Sequence, residues 1–450
     1  MPEHRTCWNP EIETMALEDL RAMQTSKLRR QLAYLADRSP FYERKFAESG
    51  FDPTAARSIE DLRRLPFTEK QELRDSQIVS PPLGRHAAAD LVDVIRVHSS
   101  SGTTGRPSYV GITRADSARW TEVISRVYWC EGVRPEDVLI HGFGLGFFVG
   151  GLPLKDGIEQ VGATFVPIGT GASDRLLSAI EHLGGTVLTC TPSYASYLAE
   201  YVRDHFGKEP SELGIRRILL GAEPGGAIPA VRRRIEAAYG AFVTEGLGNA
   251  DVCPVYAGTC DQRDGNHFLA ADQIVLELID PDSGEVRKWE DGAEGELVAT
   301  HIERDCVPLV RFRTRDRVVV AVSSCPCGRT GPRIRCVGRT DDMLIVAGVN
   351  VWPSAVSDVV GNLHPRTTGA VQILLMAPPP KVEPPLRLQV EYGSKAIDLE
   401  ALKRELEQVI RDKLVVRAEV ELVPPGTLPR FEMKSQPLKH VYDNASAPAG

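Results

Sequence analysis

The stretch Ser99-Ser-Ser-Gly-Thr-Thr-Gly-Arg-Pro107 places small hydroxyl residues and two glycines directly after the strand-like residues 92–97. Glycines let backbone N–H groups converge on an anion, hydroxyl groups add donors, and Arg106 adds a permanent positive charge. The stretch lacks the Gly-Lys-Ser/Thr ending of a P-loop. It predicts a phosphate-binding loop of another type, and a flexible Ser/Gly turn is the alternative.

The sequence on either side of this stretch alternates between strand-like and helix-like segments. Short apolar runs at residues 137–140, 163–166, 186–189 and 217–220 are separated by helix-like stretches. Such alternation predicts an α/β core with parallel strands. Before it, residues 10–75 carry apolar side chains at three- and four-residue spacing, which predicts a helical N-terminal layer over residues 1–75.

The pattern changes near residue 340, where a polar cluster is followed by short strand-like runs. Asp398 is positioned to cap a helix whose apolar face is formed by Leu399, Leu402, Leu406, Val409 and Ile410. Residues 386–391 and 415–423 are strand-like. We therefore predict a large N-terminal domain, residues 1–340, and a small α+β C-terminal domain, residues 341–450.

The charge balance excludes a general affinity for polyanions. The chain has 53 Lys plus Arg against 61 Asp plus Glu, a formal net charge of -8, so we expect no nucleic-acid partner. No apolar run approaches about 18 residues, and the start does not read as a secretory signal, so we expect no membrane span and a cytoplasmic location. An anionic ligand must be bound by a local cluster of positive charge.

Four of the metal-ligating side chains have a pattern that suits zinc. Cys325 and Cys327 are separated by one proline, and Cys260 and His267 lie upstream. Three thiolates and one imidazole make a closed tetrahedral set, which predicts a structural Zn2+ rather than a catalytic one. Buried free cysteines are the alternative interpretation.

The loop and four later segments resemble, in order, motifs of the adenylate-forming superfamily of acyl- and aryl-coenzyme A ligases. The resemblance implies that the loop binds nucleotide through Ser100, Ser101, Gly102, Thr103, Thr104, Gly105 and Arg106. It implies an adenine-binding loop at Gly221, Ala222, Glu223 and Pro224, and a ribose-binding carboxylate at Asp316, which we expect directly after a strand. It also implies a nucleotide contact from Arg339, a hinge at Asp341 and a catalytic lysine at Lys434.

Within that superfamily the chain is most similar to phenylacetate-coenzyme A ligases, through residues 39–45, 65–70, 189–194 and 349–353. The similarity implies a large α/β domain with a mobile C-terminal domain. It also implies that ATP, Mg2+ and coenzyme A act with an aromatic carboxylic acid, such as a benzoate, an aminobenzoate or an arylacetate. A homodimer is compatible with this resemblance.

The chain departs from the family at the magnesium-side motif. The matching stretch is Leu247-Gly-Asn-Ala-Asp251, so Asp251 stands where relatives carry Glu, and Ala250 lacks the usual hydroxyl. Glu245 is a fallback ligand. Met433 stands where relatives often carry Gly, beside the predicted catalytic Lys434.

The glycine-rich residues 142–151 suggest a pocket for the acid. Phe143, Phe147 and Phe148 could form a flat slot for an aromatic ring, although buried phenylalanines are also ordinary core. The resemblance adds Gly246 and Gly248 as boundaries of this pocket. His141 and Asn249 are candidate polar contacts for a ring substituent.

Three functions fit these patterns. The leading hypothesis is an ATP-dependent aryl-coenzyme A ligase. The second keeps adenylation but transfers the acyl group to an amine or to a carrier-protein thiol. The third is a non-catalytic adenylate-binding relative, which Ala250 and Met433 make conceivable and which Arg106, Asp316, Arg339 and Lys434 argue against.

Overall fold

A computed structural model describes residues 6–100, 108–431 and 436–442. The chain divides into two compact units, residues 1–189 with 244–335 and residues 190–243 with 336–450. The second unit therefore includes residues 190–243 besides the C-terminal part of the chain. The division into domains at residues 340 and 341 stays a prediction.

The described residues alternate between helices and strands. The helices are α1 (Pro10–Glu13), α2 (Leu17–Arg38), α3 (Pro40–Glu48), α4 (Lys70–Val79), α5 (Arg114–Cys130), α6 (Leu152–Val161), α7 (Ser173–Leu183), α8 (Pro192–Phe206), α9 (Pro229–Tyr239), α10 (Pro353–Gly361) and α11 (Leu399–Leu414). The strands are β1 (Val94–Ser99), β2 (Tyr109–Thr113), β3 (Val138–His141), β4 (Thr164–Pro167), β5 (Val187–Cys190), β6 (Arg217–Leu220), β7 (Phe242–Asn249), β8 (Cys253–Thr259), β9 (Asn266–Phe268), β10 (Ile274–Ile279), β11 (Val286–Arg287), β12 (Glu294–His301), β13 (Phe312–Ala321), β14 (Arg333–Arg339), β15 (Leu344–Val346), β16 (Val349–Val351), β17 (Thr367–Leu375), β18 (Lys381–Val382), β19 (Leu386–Tyr392), β20 (Ala418–Val423) and β21 (Leu438–His440). No helix in these ranges is both long enough and apolar enough to span a bilayer.

Three of the four strands predicted from the apolar runs form a parallel sheet in the first unit, and the fourth, β6, lies in the second unit. Strand β3 pairs in parallel with β4 on one side and with β5 on the other. Antiparallel pairing joins β7 to β8 and β8 to β9, and β12 pairs with β10 and β13. The prediction of an α/β fold is confirmed. The strands β1 and β2 form a separate antiparallel pair that leads into and out of residues 100–108.

The N-terminal layer is helical because its apolar side chains recur on one face. Leu28, Leu32 and Leu35 of α2 are all buried, and they pack in one core with Val275 and Val310. Burying each such leucine stabilises the fold by about 1.5–3 kcal/mol. The layer is therefore fixed against the part of the first unit that leads into β13.

The small C-terminal module has the predicted α+β pattern. The side chain of Asp398 accepts a hydrogen bond from the Ala401 N–H at 2.9 Å, so it caps α11 as predicted. Leu402, Leu406 and Ile410 are buried, whereas Leu399, which was expected on the same face, is exposed. The helix covers a sheet in which β19 pairs with β17 and β20.

Buried His301 makes the stability of the first unit dependent on pH. Its Nε2 donates to the Val252 carbonyl at 2.9 Å and its Nδ1 accepts from the Leu309 N–H at 3.0 Å. Both nitrogens of a neutral imidazole are thus satisfied. Burial, reinforced by the charge of Arg304, lowers the pKa of His301 to about 3.

We expect this histidine to cost the protein about 2 kcal/mol of unfolding free energy between pH 7 and pH 5. The unfolded chain binds the proton below about pH 6.5 and the folded chain only near pH 3, so stability is lost as the pH falls through that window. Urea unfolding at both pH values measures the loss. His301→Asn should show a smaller drop than the wild type, and His182→Asn, an exposed control, should not. Equal drops in His301→Asn and the wild type would contradict the assignment.

Candidate active site

Ser100, in the predicted phosphate loop, and Ser108, just after it, hydrogen-bond to each other and form the base of the loop. The Ser100 and Ser108 hydroxyls are 2.9 Å apart, and the Ser100 N–H donates to the Ser108 carbonyl at 3.0 Å. Both serines are buried. The predicted ligands Ser101, Gly102, Thr103, Thr104, Gly105 and Arg106 lie outside the described residues.

Asp251 lies in the turn between β7 and β8, and its carboxylate is directed at this base. Its Oδ1 accepts from the Ser108 hydroxyl at 2.6 Å, and its Oδ2 accepts from Lys70 Nζ at 2.8 Å. Asn249, a predicted acid contact, accepts the Asp251 N–H through its side chain at 3.0 Å. Asp251 is predicted from the sequence, whereas Lys70 and Ser108 are not, although Lys70 ends one of the segments that marked the subfamily.

The oxygens around Asp251 have the chemistry of a magnesium site. A buried carboxylate and neighbouring hydroxyls are hard donors of the kind Mg2+ takes. Lys70 already shares one carboxylate oxygen. The donor types around Asp251 therefore fit Mg2+. The fallback Glu245 lies on β7, where its backbone N–H donates to Thr259 at 3.2 Å.

Asp316 lies inside β13, whereas the sequence suggested that it follows a strand. It is buried, and its N–H donates to the Thr314 hydroxyl at 3.1 Å. The preceding Arg315 has a φ of 66°, in the left-handed region that costs a non-glycine residue about 1–3 kcal/mol. Arg315 is fixed by an ion pair with Glu69 at 2.6 Å. Strained backbone held in this way is typical of a functional site.

The second unit carries the predicted adenine loop, residues 221–224. Ala222 has a φ of 70°, again in the left-handed region. Glu223 is buried and accepts the Ser193 N–H at the start of α8 at 2.8 Å. A cavity of about 160 Å³ in this unit is lined by Glu223 and Pro224 together with Arg430 and Phe431. The adenine loop and the segment that leads to Lys434 therefore border one cavity.

Lys434 itself lies outside the described residues, but the residues before it are firmly held. Arg430 makes a two-pronged ion pair with buried Glu391, at 2.9 and 2.8 Å, and also reaches Glu200 at 2.9 Å. Burial opposes ionisation of Glu391, but hydrogen bonds from Arg430 and the Leu428 N–H lower its pKa overall. The start of the segment that leads to Lys434 is thus anchored to β19 and to α8.

Arg339 and Asp341, predicted as a nucleotide contact and a hinge, bind each other. Arg339 Nε lies 2.9 Å from Asp341 Oδ1, and Nη2 lies 2.8 Å from Oδ2. Gly338 has a φ of 157°, and a Cβ there would lie 2.5 Å from the Trp352 ring. A nucleotide contact from Arg339 would require this ion pair to open or to be shared.

The candidate acid pocket combines one buried histidine with exposed phenylalanines. His141 is fully buried against Phe143 and Phe165, with ring centroids 5.6 and 5.1 Å away. Burial lowers its pKa to about 4, so the imidazole is neutral near pH 7. Phe147 and Phe148 are 50% and 38% exposed, so they are not core residues.

The glycines on β7 have packing reasons of their own. A Cβ at Gly248 would lie 1.9 Å from the Pro254 carbonyl oxygen, and one at Gly246 would lie 2.9 Å from the Val255 side chain. Close approach of β8 therefore explains why both positions are glycine. Their predicted role at the acid pocket stays a prediction.

The four predicted zinc ligands converge in the first unit. All four ligand atoms of Cys260, His267, Cys325 and Cys327 lie within 4.8 Å of one another. Cys260 Sγ is 3.8 Å from Cys325 Sγ, and Cys327 Sγ is 3.3 Å from His267 Nε2. Zn–S bonds of 2.3 Å in a tetrahedron place two sulfurs about 3.8 Å apart. The geometry and the donor types therefore fit zinc.

Comparison with known proteins gives consistent results. Residues 28–302 match the family model of the AMP-binding enzyme, and residues 348–444 match that of the AMP-binding enzyme C-terminal domain. A phenylacetate-coenzyme A ligase from Thermus thermophilus is 37% identical, covering 94% of this chain and 97% of the relative. One from Pseudomonas putida is 32% identical, covering 97% of both.

Solved structures agree with these matches. The crystal structure of 2-hydroxyisobutyryl-CoA ligase in the postadenylation state, in complex with 2-HIB-AMP, superposes with a TM-score of 0.91 at 30% identity. The alignment covers 99% of this chain and 95% of that one. The same ligase with 2-HIB-AMP and CoA in the thioesterification state gives a TM-score of 0.73 at 32% identity, with the same coverage of both chains.

Proposed function

Because the chain belongs to the AMP-binding enzyme family, we propose that it is an ATP-dependent, AMP-forming ligase that joins an aromatic carboxylic acid to coenzyme A. The observation that carries the proposal is similarity over nearly the whole chain to phenylacetate-coenzyme A ligases. An arylacetate is the substrate class this favours. The loop base held by Asp251 supports a site for ATP.

The reaction has two steps in which this chain's residues have distinct tasks. In the first, a carboxylate oxygen attacks the α-phosphorus of ATP, and the bond to pyrophosphate breaks to leave acyl-AMP. Both reactants are anions, so fixed positive charge must offset their repulsion. We assign Lys434 to the reacting oxygens and Asp316 to the ribose hydroxyls. The loop from Ser100 to Arg106 binds the phosphates.

In the second step the coenzyme A thiol attacks the acyl carbon, loses its proton, and displaces AMP. Magnesium, when bound, would neutralise phosphate charge, and Asp251 is the residue that would hold it. The adenine loop and the segment before Lys434 border the same cavity, so a movement of that segment changes the nucleotide surroundings. We assign Asp341 to this movement, and Arg339 to the nucleotide once its pair with Asp341 opens.

The acid slot is proposed to lie beside residues 142–151. Phe143, Phe147 and Phe148 provide apolar surface for a ring, and exposure of the last two leaves them accessible. His141 packs against Phe143 with a neutral imidazole. A hydroxy acid is the second candidate substrate class, because the postadenylation-state relative carries a hydroxyacyl adenylate.

A half-reaction assay tests this proposal. Pyrophosphate release is measured with and without coenzyme A, using arylacetates, benzoates, aminobenzoates, hydroxybenzoates and 2-hydroxyisobutyrate. We expect at most one pyrophosphate per active site without coenzyme A, and steady turnover with it. Steady turnover without coenzyme A would favour transfer to an amine or a carrier thiol. No acid-dependent release would favour a non-catalytic adenylate-binding protein.

We also propose that Cys260, His267, Cys325 and Cys327 hold a structural zinc ion. Four protein ligands leave no open coordination position, so the ion would stabilise the fold and take no part in catalysis. Arg329, two residues after Cys327, pairs with buried Glu13 at 2.7 Å. The loop that carries Cys325 and Cys327 therefore also anchors the N-terminal helix α1. A cytoplasmic location and a homodimer stay predictions.

A further inference from the structure

The segment that ends in Lys70 contacts the start of β13, the strand that carries Asp316, and the predicted magnesium ligand Asp251. The Thr68 N–H donates to the Arg311 carbonyl at 2.9 Å, and the Arg313 N–H donates to the Thr68 carbonyl at 3.0 Å. The segment thus pairs with the start of β13, the strand of Asp316. The two residues after Thr68 continue the contact, since Glu69 pairs with Arg315 and Lys70 pairs with Asp251.

This arrangement fixes where the Lys70 ammonium group lies. Glu69 precedes α4, and its N–H donates to Glu72 at 2.7 Å, so the backbone at Lys70 is held by a capping interaction. Asp251 shares its two oxygens between Lys70 and Ser108. The ammonium group is therefore joined through one carboxylate to the base of the phosphate loop.

Lys70 uses fewer of its N–H donors on described residues than Lys45, another lysine of the N-terminal layer. An ammonium group has three N–H donors, and Asp251 is the one partner of Lys70 among the residues that the structure describes. Lys45 instead contacts the Phe67 carbonyl at 2.6 Å, Thr68 at 3.2 Å and Glu72 at 3.1 Å. Lys45 is 11% exposed and Lys70 is 33% exposed. The contacts of Lys45 therefore lie within the protein, whereas Lys70 has N–H groups that no described residue accepts.

We propose that Lys70 binds the β- and γ-phosphates of ATP, while Asp251 holds its ammonium group in place. The proposal rests on the proposed function. The AMP half of the nucleotide is already assigned to Asp316, to residues 221–224 and to Lys434. The pyrophosphate half has the larger charge, and in a net-negative chain its binding needs local cations. Lys70 supplies one from the N-terminal layer, in addition to Arg106 of the loop.

The test compares ligands that contain the β- and γ-phosphates with ligands that lack them. For Lys70→Met we expect the KM for ATP in pyrophosphate release to rise about 10- to 100-fold, the range of one lost charged hydrogen bond. Conversion of preformed acyl-AMP with coenzyme A should stay within about twofold of the wild type. Lys70→Arg should recover most of the ATP affinity. Lys45→Met should leave the KM for ATP unchanged.

A second variant and a binding measurement test the role of Lys70 without relying on Lys70→Met or on catalysis. Lys70→Gln retains a donor for Asp251 but removes the charge, and it should show the same selective loss if Lys70→Met fails to fold. Equilibrium binding of AMP and of a non-hydrolysable ATP analogue gives the same comparison without catalysis, so it holds even if the proposed ligase reaction is wrong. An unchanged affinity for the ATP analogue, or equal losses for AMP and ATP, would overturn the proposal.

Discussion

Replacing Lys434 by alanine is expected to slow acyl-AMP formation by about 100- to 1,000-fold, the effect of removing one group that stabilises transition-state charge. The carboxylate and the α-phosphate are both negative, and Lys434 is the cation assigned between them. Thioester formation from preformed acyl-AMP needs no such approach of two anions, so it should stay near the wild-type rate. Single-turnover pyrophosphate release measures the first step, and coenzyme A consumption measures the second.

Lys439 is a suitable control for this experiment. It lies five residues later on β21 and is exposed. Lys439→Ala should leave both steps unchanged. A Lys434→Ala enzyme that adenylates at the wild-type rate would remove this residue from the mechanism. Equal losses in both steps would show that its effect is not specific to adenylation.

Disrupting the predicted zinc site is expected to have the largest effect on stability. Cys327→Ser should abolish zinc binding and lower the free energy of unfolding by about 4 kcal/mol or more, because a structural ion contributes its binding energy to folding. The Arg329–Glu13 contact lies beside the site, so α1 should become accessible to proteases. Metal analysis, urea unfolding and limited proteolysis check these three expectations.

Cys336→Ser is the matched control for the zinc experiment, because Cys336 is half-buried like Cys327 but lies outside the cluster. It should retain one zinc ion per chain and wild-type stability. The fraction of Cys327→Ser enzyme that is folded should keep its specific activity at low temperature, since a zinc site with four protein ligands takes no part in catalysis. Purified wild-type protein without zinc, and with unfolding insensitive to chelators, would contradict the assignment.

The features that sequence predicted well depend on local patterns. The alternation of apolar runs gave the parallel strands β3, β4 and β5, and Asp398 was identified as a helix cap from its position before an apolar face. The cluster of Cys260, His267, Cys325 and Cys327 could be found because these side-chain types have few alternative uses at such spacing. Each of these signals is carried by residues near one another in sequence or by a restrictive chemistry.

The features that sequence missed depend on contacts between distant residues. Lys70 and Asp251 are 181 positions apart, and nothing in either segment indicates that they form a pair. One exception is local: the ion pair between Arg339 and Asp341 was missed because the two side chains had been assigned separate roles. Asp316 was expected after a strand, yet β13 continues through it to Ala321. Such details follow from tertiary packing rather than from local propensity.

A product assay with phenylacetate shows whether the protein is an AMP-forming coenzyme A ligase. The purified protein is incubated with ATP, Mg2+, phenylacetate and coenzyme A, and the products are quantified by mass spectrometry. The proposed function predicts AMP, pyrophosphate and phenylacetyl-coenzyme A in equal amounts, with protein-bound phenylacetyl-AMP when coenzyme A is omitted. ADP and phosphate as products, or AMP formed without any acyl-coenzyme A across the panel of acids, would contradict it.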